Sequence, residues 1–368
     1  MKIYRFSEVL DFDSPVHAVA KGIEDIELVL NRFPLDSFND IGISYLDVQG
    51  KNKIQKFLYY INYRRQSVLK NLYFSKGKTV FFHYPFAKGR IFDSVIVNRF
   101  MDRNRVCLLV HDIDALRKQN IDSNEGQQAI RQEVNILNKA YAIMLHNPCM
   151  EQKLRDNGLT VRNLTNVGIF DYLIDKDKVH AVNSRSFAKS IVYAGNLSKS
   201  EFIKRLGELQ NHNLMFELYG PFFDKKLEKL SYVNHHGNLD ANEIVFKLKG
   251  SFGLIWDGPE ITTCSGAYGN YLRYNNPFKA SLYIAAQLPL IVWSKSAVAD
   301  FVKEHGIGIT IDSLEDIDKR IASMSESEYG KMYRNIVNLS FKVRSGTFLS
   351  GAAVSYTHLR AHETVLDL

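Results

Sequence analysis

Tyr274-Asn-Asn-Pro-Phe-Lys-Ala-Ser-Leu-Tyr-Ile-Ala-Ala-Gln-Leu-Pro-Leu-Ile-Val-Trp293 reads as a helix feeding directly into a strand. Asn276–Gln287 is the helix, with Pro277 at its start, where a missing amide proton costs least. Leu288–Trp293 is the strand that follows. The same alternation runs outward from this stretch in both directions, and it decides the fold class.

In the second half of the chain, Ile191–Ala194, Met215–Tyr219, Ser251–Trp256 and Gly308–Ile311 read as further strands. Gly195-Asn-Leu-Ser-Lys199, Gly220-Pro221 and Asp257-Gly-Pro259 end the first three. In the first half, Met1–Phe6, Asp40–Tyr45, Thr79–His83, Val106–His111 and Tyr141–His146 read as strands. Helical spacing covers Pro15–Arg32, Lys53–Tyr73 (long, basic and amphipathic), Gln127–Ala140 and Met150–Asn157. Strands separated by helices of this length predict parallel, doubly wound α/β sheets of Rossmann type. Charged, weakly apolar Asp175–Lys189 is the natural linker. The expected division is therefore a domain over residues 1–174, the linker, and a second domain over 190–335.

The chain has 368 residues, the right length for two ordinary domains. At 45% hydrophobic and 24% charged, it is globular in composition. No apolar run reaches the ~18 residues of a membrane span, and the start lacks a signal-peptide stretch, so a cytoplasmic protein is expected. Cys107, Cys149 and Cys264 are widely spaced and read as reduced thiols. A net charge of +7 favours anionic partners. Without a long Lys/Arg run, those partners are phosphorylated ligands or a membrane surface rather than nucleic acid. Val354-Ser-Tyr-Thr-His-Leu-Arg-Ala-His-Glu-Thr364 resembles a translated sequencing adapter. Residues 354–368 are set aside on that ground as an artefact tail, and the natural chain is expected to differ past Ala353.

Several motifs fail on inspection. Gly77-Lys78-Thr79 ends like a phosphate-binding loop, but Leu72 stands where the earlier glycine belongs, and a strand follows instead of a helix. Asp112-Ile-Asp114 has the spacing of a DxD metal site, yet no zinc spacing or other metal cluster accompanies it, and no metal is expected. His111 and Asp112 directly follow an apolar strand, the place where open α/β sheets bind ligands. Gly195 and Asn196, also after a strand, let backbone N–H groups approach a ligand, and Lys199 adds charge for phosphate. Lys279 lies in a first helical turn, where free N–H groups and the helix dipole attract phosphate. Among Phe278, Leu282 and Tyr283 it needs an anionic partner if buried. Tyr268 and Tyr271 are candidates to stack on a base or sugar. Tyr219 and Asp257 at strand ends, with Asn275 and Asn276 at the helix approach, complete the donor-binding set.

At this point the chain resembles a known group. Val110-His-Asp112, Tyr193-Ala-Gly-Asn196, Ser251-Phe-Gly-Leu-Ile-Trp-Asp257 and the 274–293 stretch are similar to bacterial glucosyltransferases of serine-rich-repeat adhesin glycosylation and to related galactofuranosyltransferases. The resemblance covers most of residues 1–353. It implies the GT-B fold, two Rossmann-like domains facing a cleft, and a terminal helix over 336–353 that packs back toward the N-terminal domain. It implies a UDP-sugar donor held mainly by the C-terminal domain, metal independence and a homo-oligomer. Lys279 falls on the diphosphate-binding lysine, and Lys199 falls where an arginine stands in the streptococcal branch.

The reaction so implied moves glucose or galactofuranose from a UDP-sugar to a hydroxyl of a glycan, glycolipid or glycoprotein acceptor, in cell-surface polysaccharide or glycoprotein synthesis. Peripheral association with the inner membrane face fits that role. A metal-free site must stabilise the leaving diphosphate with lysines and helix-end amides. An inverting reaction needs a general base; Asp112 and His111 are candidates, with Asp11, Asp13 and His17 in the first loop. Two other classes share these features: a UDP-sugar epimerase-like enzyme of the same fold, and a non-catalytic nucleotide-sugar-binding subunit of a glycosylation complex.

Overall fold

The structure is a computed structural model that describes residues 3–8, 18–33, 36–40, 52–55, 57–58, 61, 77–85, 101–118, 120–182, 184–209 and 214–354. Asp11, Asp13, His17, most of Lys53–Tyr73 and residues 355–368 lie outside them. Among the described residues the chain forms two six-stranded sheets in which every pairing is parallel. The first contains β1 (Ile3–Glu8), β2 (Asp36–Asp40), β3 (Thr79–Tyr84), β4 (Arg105–Val110), β5 (Ala142–Leu145) and β6 (Asn163–Asn166), in the order β2-β1-β3-β4-β5-β6. The second contains β7 (Ser190–Ala194), β8 (Met215–Tyr219), β9 (Val233–His235), β10 (Phe252–Ile255), β11 (Leu290–Trp293) and β12 (Gly308–Ile311), in the order β12-β11-β10-β7-β8-β9. Each sheet starts inside and grows outward on both sides, which is doubly wound topology. We propose that the division between the two units falls in 175–189, where a 3-10 turn, Lys176–Ala181, interrupts the extended chain.

Alternation along the strands explains why both faces of the first sheet are covered. Val80, Val106, Leu108, Val110, Ile143 and Leu145 enter one core, while Phe81, Cys107, Leu109, Ala142 and Met144 enter the other. Successive side chains point to opposite faces, so an unbroken apolar run is what a doubly covered parallel sheet requires. The covering helices include α1 (Ala18–Leu30), α2 (Asp114–Lys118), α3 (Asn124–Leu137) and α4 (Pro148–Asp156) on the first sheet. Next in the chain, α5 (Gly266–Tyr271) packs on α2 and puts Tyr271 into the core of the first sheet, while the second sheet carries α6 (Phe278–Ala285), α7 (Val298–His305) and α8 (Glu326–Ser345). Two strands lie where the sequence pattern predicts none. β6 reads Asn-Leu-Thr-Asn and β9 reads Val-Asn-His; both are edge strands, which need only one neighbour and little apolar surface. The strand expected at Asp40–Tyr45 is displaced to Asp36–Asp40, and residues 41–45 lie outside the described set.

Four consecutive residues, 170–173, tie the two sheets together. Tyr172 donates its amide to Val343 O at 3.1 Å and its hydroxyl to Ala241 O, both beyond the linker. Leu173 donates to Asp25 Oδ2 at 2.9 Å and accepts from Lys21 Nζ at 2.9 Å, so the buried Lys21–Asp25 pair of α1 closes on it. The helix expected over 336–353 is in fact two. α8 stops at Gly346, which is left-handed (φ 80°), and a second helix runs over residues 347–354. A Cβ on Gly346 would lie 2.5 Å from Val29 Cγ2, so only glycine lets the chain turn this close to α1. The second helix places Leu349, Ala352 and Ala353 in the core of the first sheet. Its first amides, Phe348 N and Leu349 N, donate to the Asp171 carboxylate at 3.2 and 2.8 Å.

Burial pushes the Asp171 carboxyl up to about 7, opposed by those two amides and reinforced by Asp25, itself raised by burial to about 6. An acid whose folded-state value is raised contributes stability that is complete below its unfolded value, near 4, and lost as pH rises through the folded one. The wild-type melting temperature should therefore drop more between pH 5 and pH 8 than that of Asp171→Asn. Asp171→Ala, which removes both acceptors, should cost about 0.5–2 kcal/mol. Equal pH slopes for wild type and Asp171→Asn in differential scanning calorimetry would refute this.

Candidate active site

The carboxyl ends of β7, β8 and β10 build one side of the site. Gly195 follows β7 and Gly220 follows β8; a Cβ on Gly220 would sit 1.8 Å from Gly195 O, so the two loops touch backbone to backbone. Asn196 Oδ1 accepts from Ser198 N, Ser198 Oγ and Lys199 N at 3.1, 2.8 and 3.2 Å, which shapes the turn after Gly195. Lys199 is exposed on that turn. α6 enters opposite, and its first turn has no side-chain cap. Lys279 projects from that turn beside Gly195, where an added Cβ would lie 3.1 Å from Lys279 Cε. Lys279 Nζ donates to the Tyr193 hydroxyl and to Asp257 Oδ2, the latter at 3.2 Å, and lies 4.2 Å from the Tyr193 ring centre. An ammonium has three donors, so one remains for a ligand in this partly open position.

Tyr283 holds α6 in place. Its ring lies over Gly253 of β10, and its hydroxyl accepts the Ala194 amide at 2.8 Å, directly before the glycine turn. Tyr193, fully buried, also reaches Ser200 Oγ, which donates to Asp257 Oδ1 at 3.2 Å. Lys279, Asp257, Tyr193 and Ser200 are thus one connected cluster at the mouth of the second sheet.

The approach to α6 is stitched to the carboxyl ends of β4 and β5 in the first sheet. Asn276 N donates to His146 Nδ1 at 3.1 Å, and Asn276 Nδ2 donates to Gly168 O. Asn147 Nδ2 donates to Tyr274 O and to Asn276 Oδ1 at 2.9 and 3.0 Å. Ile113 N donates to the Tyr271 hydroxyl at 3.1 Å, and the Tyr271 ring sits in the core of the first sheet. These contacts bring the loop after β4 to the lead-in of the lysine helix. Asn275 also lies there, its Oδ1 buried with no hydrogen-bond partner.

On the first sheet, Asp112 is held by Arg117 and by the Tyr271 hydroxyl; burial raises its carboxyl above the usual range against both. Asp114 pairs with Arg117 and Lys118 at 3.1 and 2.8 Å. The buried Glu133 carboxylate accepts the Tyr84 hydroxyl and the amides of Asp114 and Ala115, fixing this loop from beneath. The His111 and His83 rings meet edge to edge with centres 4.9 Å apart, and His111 Nε2 meets His83 Nδ1 at 2.7 Å. His83 Nε2 in turn meets Glu27 Oε1 at 2.7 Å. Burial, then His83 and His146, hold the His111 imidazole well below its ordinary range, and burial holds His146 at about 4.

The structure therefore gathers Lys279, Asp257, Gly195 and Asn196 at one mouth, with His111 and Asp112 on the facing sheet edge. Three expected donor contacts are corrected. Tyr219 is 1% exposed, stacks on His236 and uses its hydroxyl on the backbone of Lys247 and Lys249. Tyr271, 3% exposed, has no ring face free for a base, whereas Tyr268 is 46% exposed. Asn276 spends its amide on the junction between sheets. Glu27, His83 and Ser200 join the sites although sequence reading names none of them as a candidate, and Tyr193 is legible only as the first residue of the Tyr193-Ala-Gly-Asn196 stretch. Of the first three, His83 alone carries a signal, as a histidine ending an apolar strand.

Residues 34–169 match the N-terminal domain and residues 191–356 the C-terminal domain described as glucosyltransferase 3-like. The chain is 32% identical over 269 residues to the beta-1,6-galactofuranosyltransferase WbbI of Escherichia coli, covering 73% of this chain and 75% of that protein. The chain belongs to the glucosyltransferase 3-like family. It is a glycosyltransferase. Glucosyltransferase 3 of Streptococcus gordonii is 23% identical over 322 residues, 84% of this chain and 86% of that one. The fold is GT-B, two Rossmann-like domains. The lipopolysaccharide outer core galactosyltransferase WaaB matches with a TM-score of 0.57 at 11% identity, over 97% of this chain and 99% of that one. WaaG, a glycosyltransferase involved in lipopolysaccharide biosynthesis, matches with a TM-score of 0.53 at 12% identity, over 96% and 98%.

In this family member the lysine helix is positioned by the fit of Tyr283 on Gly253. A Cβ at Gly253 would lie 2.4 Å from Tyr283 Cγ. Gly253→Ala should therefore shift α6, costing about 1–3 kcal/mol through overpacking. Chemical denaturation checks the loss; wild-type stability would remove Tyr283 as the element that positions Lys279.

Proposed function

We propose that this glycosyltransferase transfers a hexosyl group, glucose or galactofuranose, from a UDP-sugar to a hydroxyl of a glycan, glycolipid or glycoprotein acceptor in cell-surface polysaccharide or glycoprotein synthesis. The observation that carries the reading is Lys279: a partly open ammonium on an uncapped helix N-terminus, beside a glycine turn at the end of β7. That arrangement fits a diphosphate, because the helix amides and the ammonium both meet its charge and stabilise it further as the leaving group. Lys199 adds a second cation from the exposed turn. The names of the relatives, a galactofuranosyltransferase and a glucosyltransferase, support a hexosyl donor.

The reaction proceeds on protein charge rather than a bound ion. Asp112 and Asp114 share the Arg117 guanidinium, and Asp114 also pairs with Lys118, so the cation between the two carboxylates is supplied by the protein. Among the described residues no helix is long and apolar enough to cross a membrane. Ile54, Phe57, Leu58 and Ile61 are exposed at helical spacing, at 71, 64, 59 and 47%. This stripe supports the reading that the chain associates through that surface, as a homo-oligomer working at the inner membrane face.

Nucleotide preference, two lysine variants and chelation test the donor site. UDP should bind more tightly than ADP or GDP in calorimetry, and equal affinity for the three would overturn the uridine assignment. Lys279→Ala removes a charge-assisted contact worth about 1.5–3 kcal/mol, so UDP binding should weaken roughly 10- to 150-fold. Lys199→Ala should weaken it less, and EDTA should leave it intact. Loss of binding in EDTA with no effect of Lys279→Ala would reverse the metal-free reading.

A further inference from the structure

We infer that Glu27, His83 and His111 form a proton relay in which His111 takes the proton of the acceptor hydroxyl, and Glu27 and His83 act as positioning residues. This rests on the transferase reading above and specifies its base.

Strand register places the relay. β3 and β4 pair in parallel, with His83 opposite Leu109 and Tyr84 opposite Val110, and His111 N donates to Tyr84 O at 2.7 Å. The two histidines therefore leave adjacent strands side by side at the carboxyl edge of the sheet, the edge where open α/β sheets meet their ligands. α1 crosses beside them and supplies Glu27. The rings are nearly coplanar, 10° apart, and the Phe170 ring centre lies 6.0 Å from that of His111 with the planes 14° apart. His146 braces the same loop from below, donating through Nε2 to His111 O at 2.9 Å. Its other nitrogen accepts Asn276 N, so this histidine is neutral and fixed in one tautomer.

The bonds set the protons. A carboxylate only accepts, so His83 Nε2 carries a hydrogen toward Glu27. His83 Nδ1 then has a lone pair and accepts from His111 Nε2–H. That leaves the lone pair of His111 on Nδ1, which has no hydrogen-bond partner among the described residues. The relay thus presents a base at the sheet edge rather than a donor. Asp112 is a weaker candidate, because Arg117 and Tyr271 already occupy its carboxylate.

The step balances without any further reactant. The acceptor oxygen attacks the anomeric carbon as the bond from that carbon to the diphosphate breaks, and its electron pair leaves with UDP. The acceptor O–H proton passes to His111 Nδ1, and the Nε2 proton of His111 passes to His83 Nδ1. His111 ends neutral in its other tautomer, and the cation rests on buried His83 against Glu27. This is a single displacement, with inversion at the anomeric carbon.

Long-range 15N–1H spectra of the full chain, labelled at histidine, read the tautomers directly. His83→Gln and His111→Gln assign the two rings. Both should carry hydrogen on Nε2 in the resting protein; hydrogen on Nδ1 of His111 would overturn the relay. UDP-sugar turnover is followed by UDP release from UDP-glucose and UDP-galactofuranose, and UDP affinity by calorimetry. His111→Gln should lower kcat by roughly 10²–10⁴, the usual contribution of a general base, with UDP affinity unchanged. Glu27→Gln and His83→Gln should lower kcat at least tenfold with little change in donor KM, and Glu27→Asp should restore part of it. The acid limb of the wild-type pH–rate profile should move in Glu27→Gln. Wild-type kcat and an unshifted profile in Glu27→Gln would sink the inference while leaving the donor site standing. Absence of UDP binding by the wild type would instead remove the transferase reading itself.

Discussion

Asn276 is nearly fully buried between the two sheets, and its fold depends on satisfying it there. Its side-chain amide donates to Gly168 O, its carbonyl accepts from Asn147, and its backbone N–H donates to His146. A buried amide without partners costs on the order of 1–3 kcal/mol, so these bonds tolerate little slippage. Pro277 follows immediately and starts the helix that carries Lys279. The position of Lys279 is therefore set by residues of the opposite sheet. The same His146 that accepts from Asn276 donates to the backbone of His111. One polar junction thus places cationic and basic groups on both sides of the site.

Residues 170–173 form a second junction at the other end of the contact. There the constraint is carboxylate burial: Asp25 faces Lys21 and Leu173 N, and Asp171 faces the first amides of the terminal helix. Both acids are raised by burial, so these contacts hold the domains together with groups that resist ionisation. Phe170 belongs to the same segment and its ring lies 6.0 Å from that of His111, so the residues before the linker reach the edge of the first sheet as well. Domain arrangement and site geometry are consequently one problem in this enzyme: a change at 170–173 or at 274–276 acts on both.

Burial sorts the polar groups by role. Tyr193, Tyr219, Tyr271 and Tyr283 each place a phenol on a backbone or side-chain partner inside the protein, and each is shifted upward by burial. They act as struts. Lys279, Asp257 and His111 keep only part of their surface open, at the sheet edges.

The sequence by itself determined the two parallel sheets, because unbroken apolar runs such as Val106–Val110 and Leu290–Trp293 are apolar on both faces and bury only between helix layers. It also determined the lysine on a helix N-terminus, since Pro277 and Lys279 are neighbours in the chain and their roles are local. Edge strands β6 and β9 were not legible, having too little apolar surface to show a period. Aromatic residues near the ligand were legible as a class but not by role: Tyr268 and Tyr271 are three positions apart, yet only the tertiary structure turns one outward and the other into the opposite core. Glu27, His83 and His111 lie 56 and 28 residues apart along the chain, and no local rule links them. Parallel pairing of β3 with β4 and the packing of α1 bring them within hydrogen-bond distance, because register between strands is fixed by long-range burial rather than by neighbours in sequence.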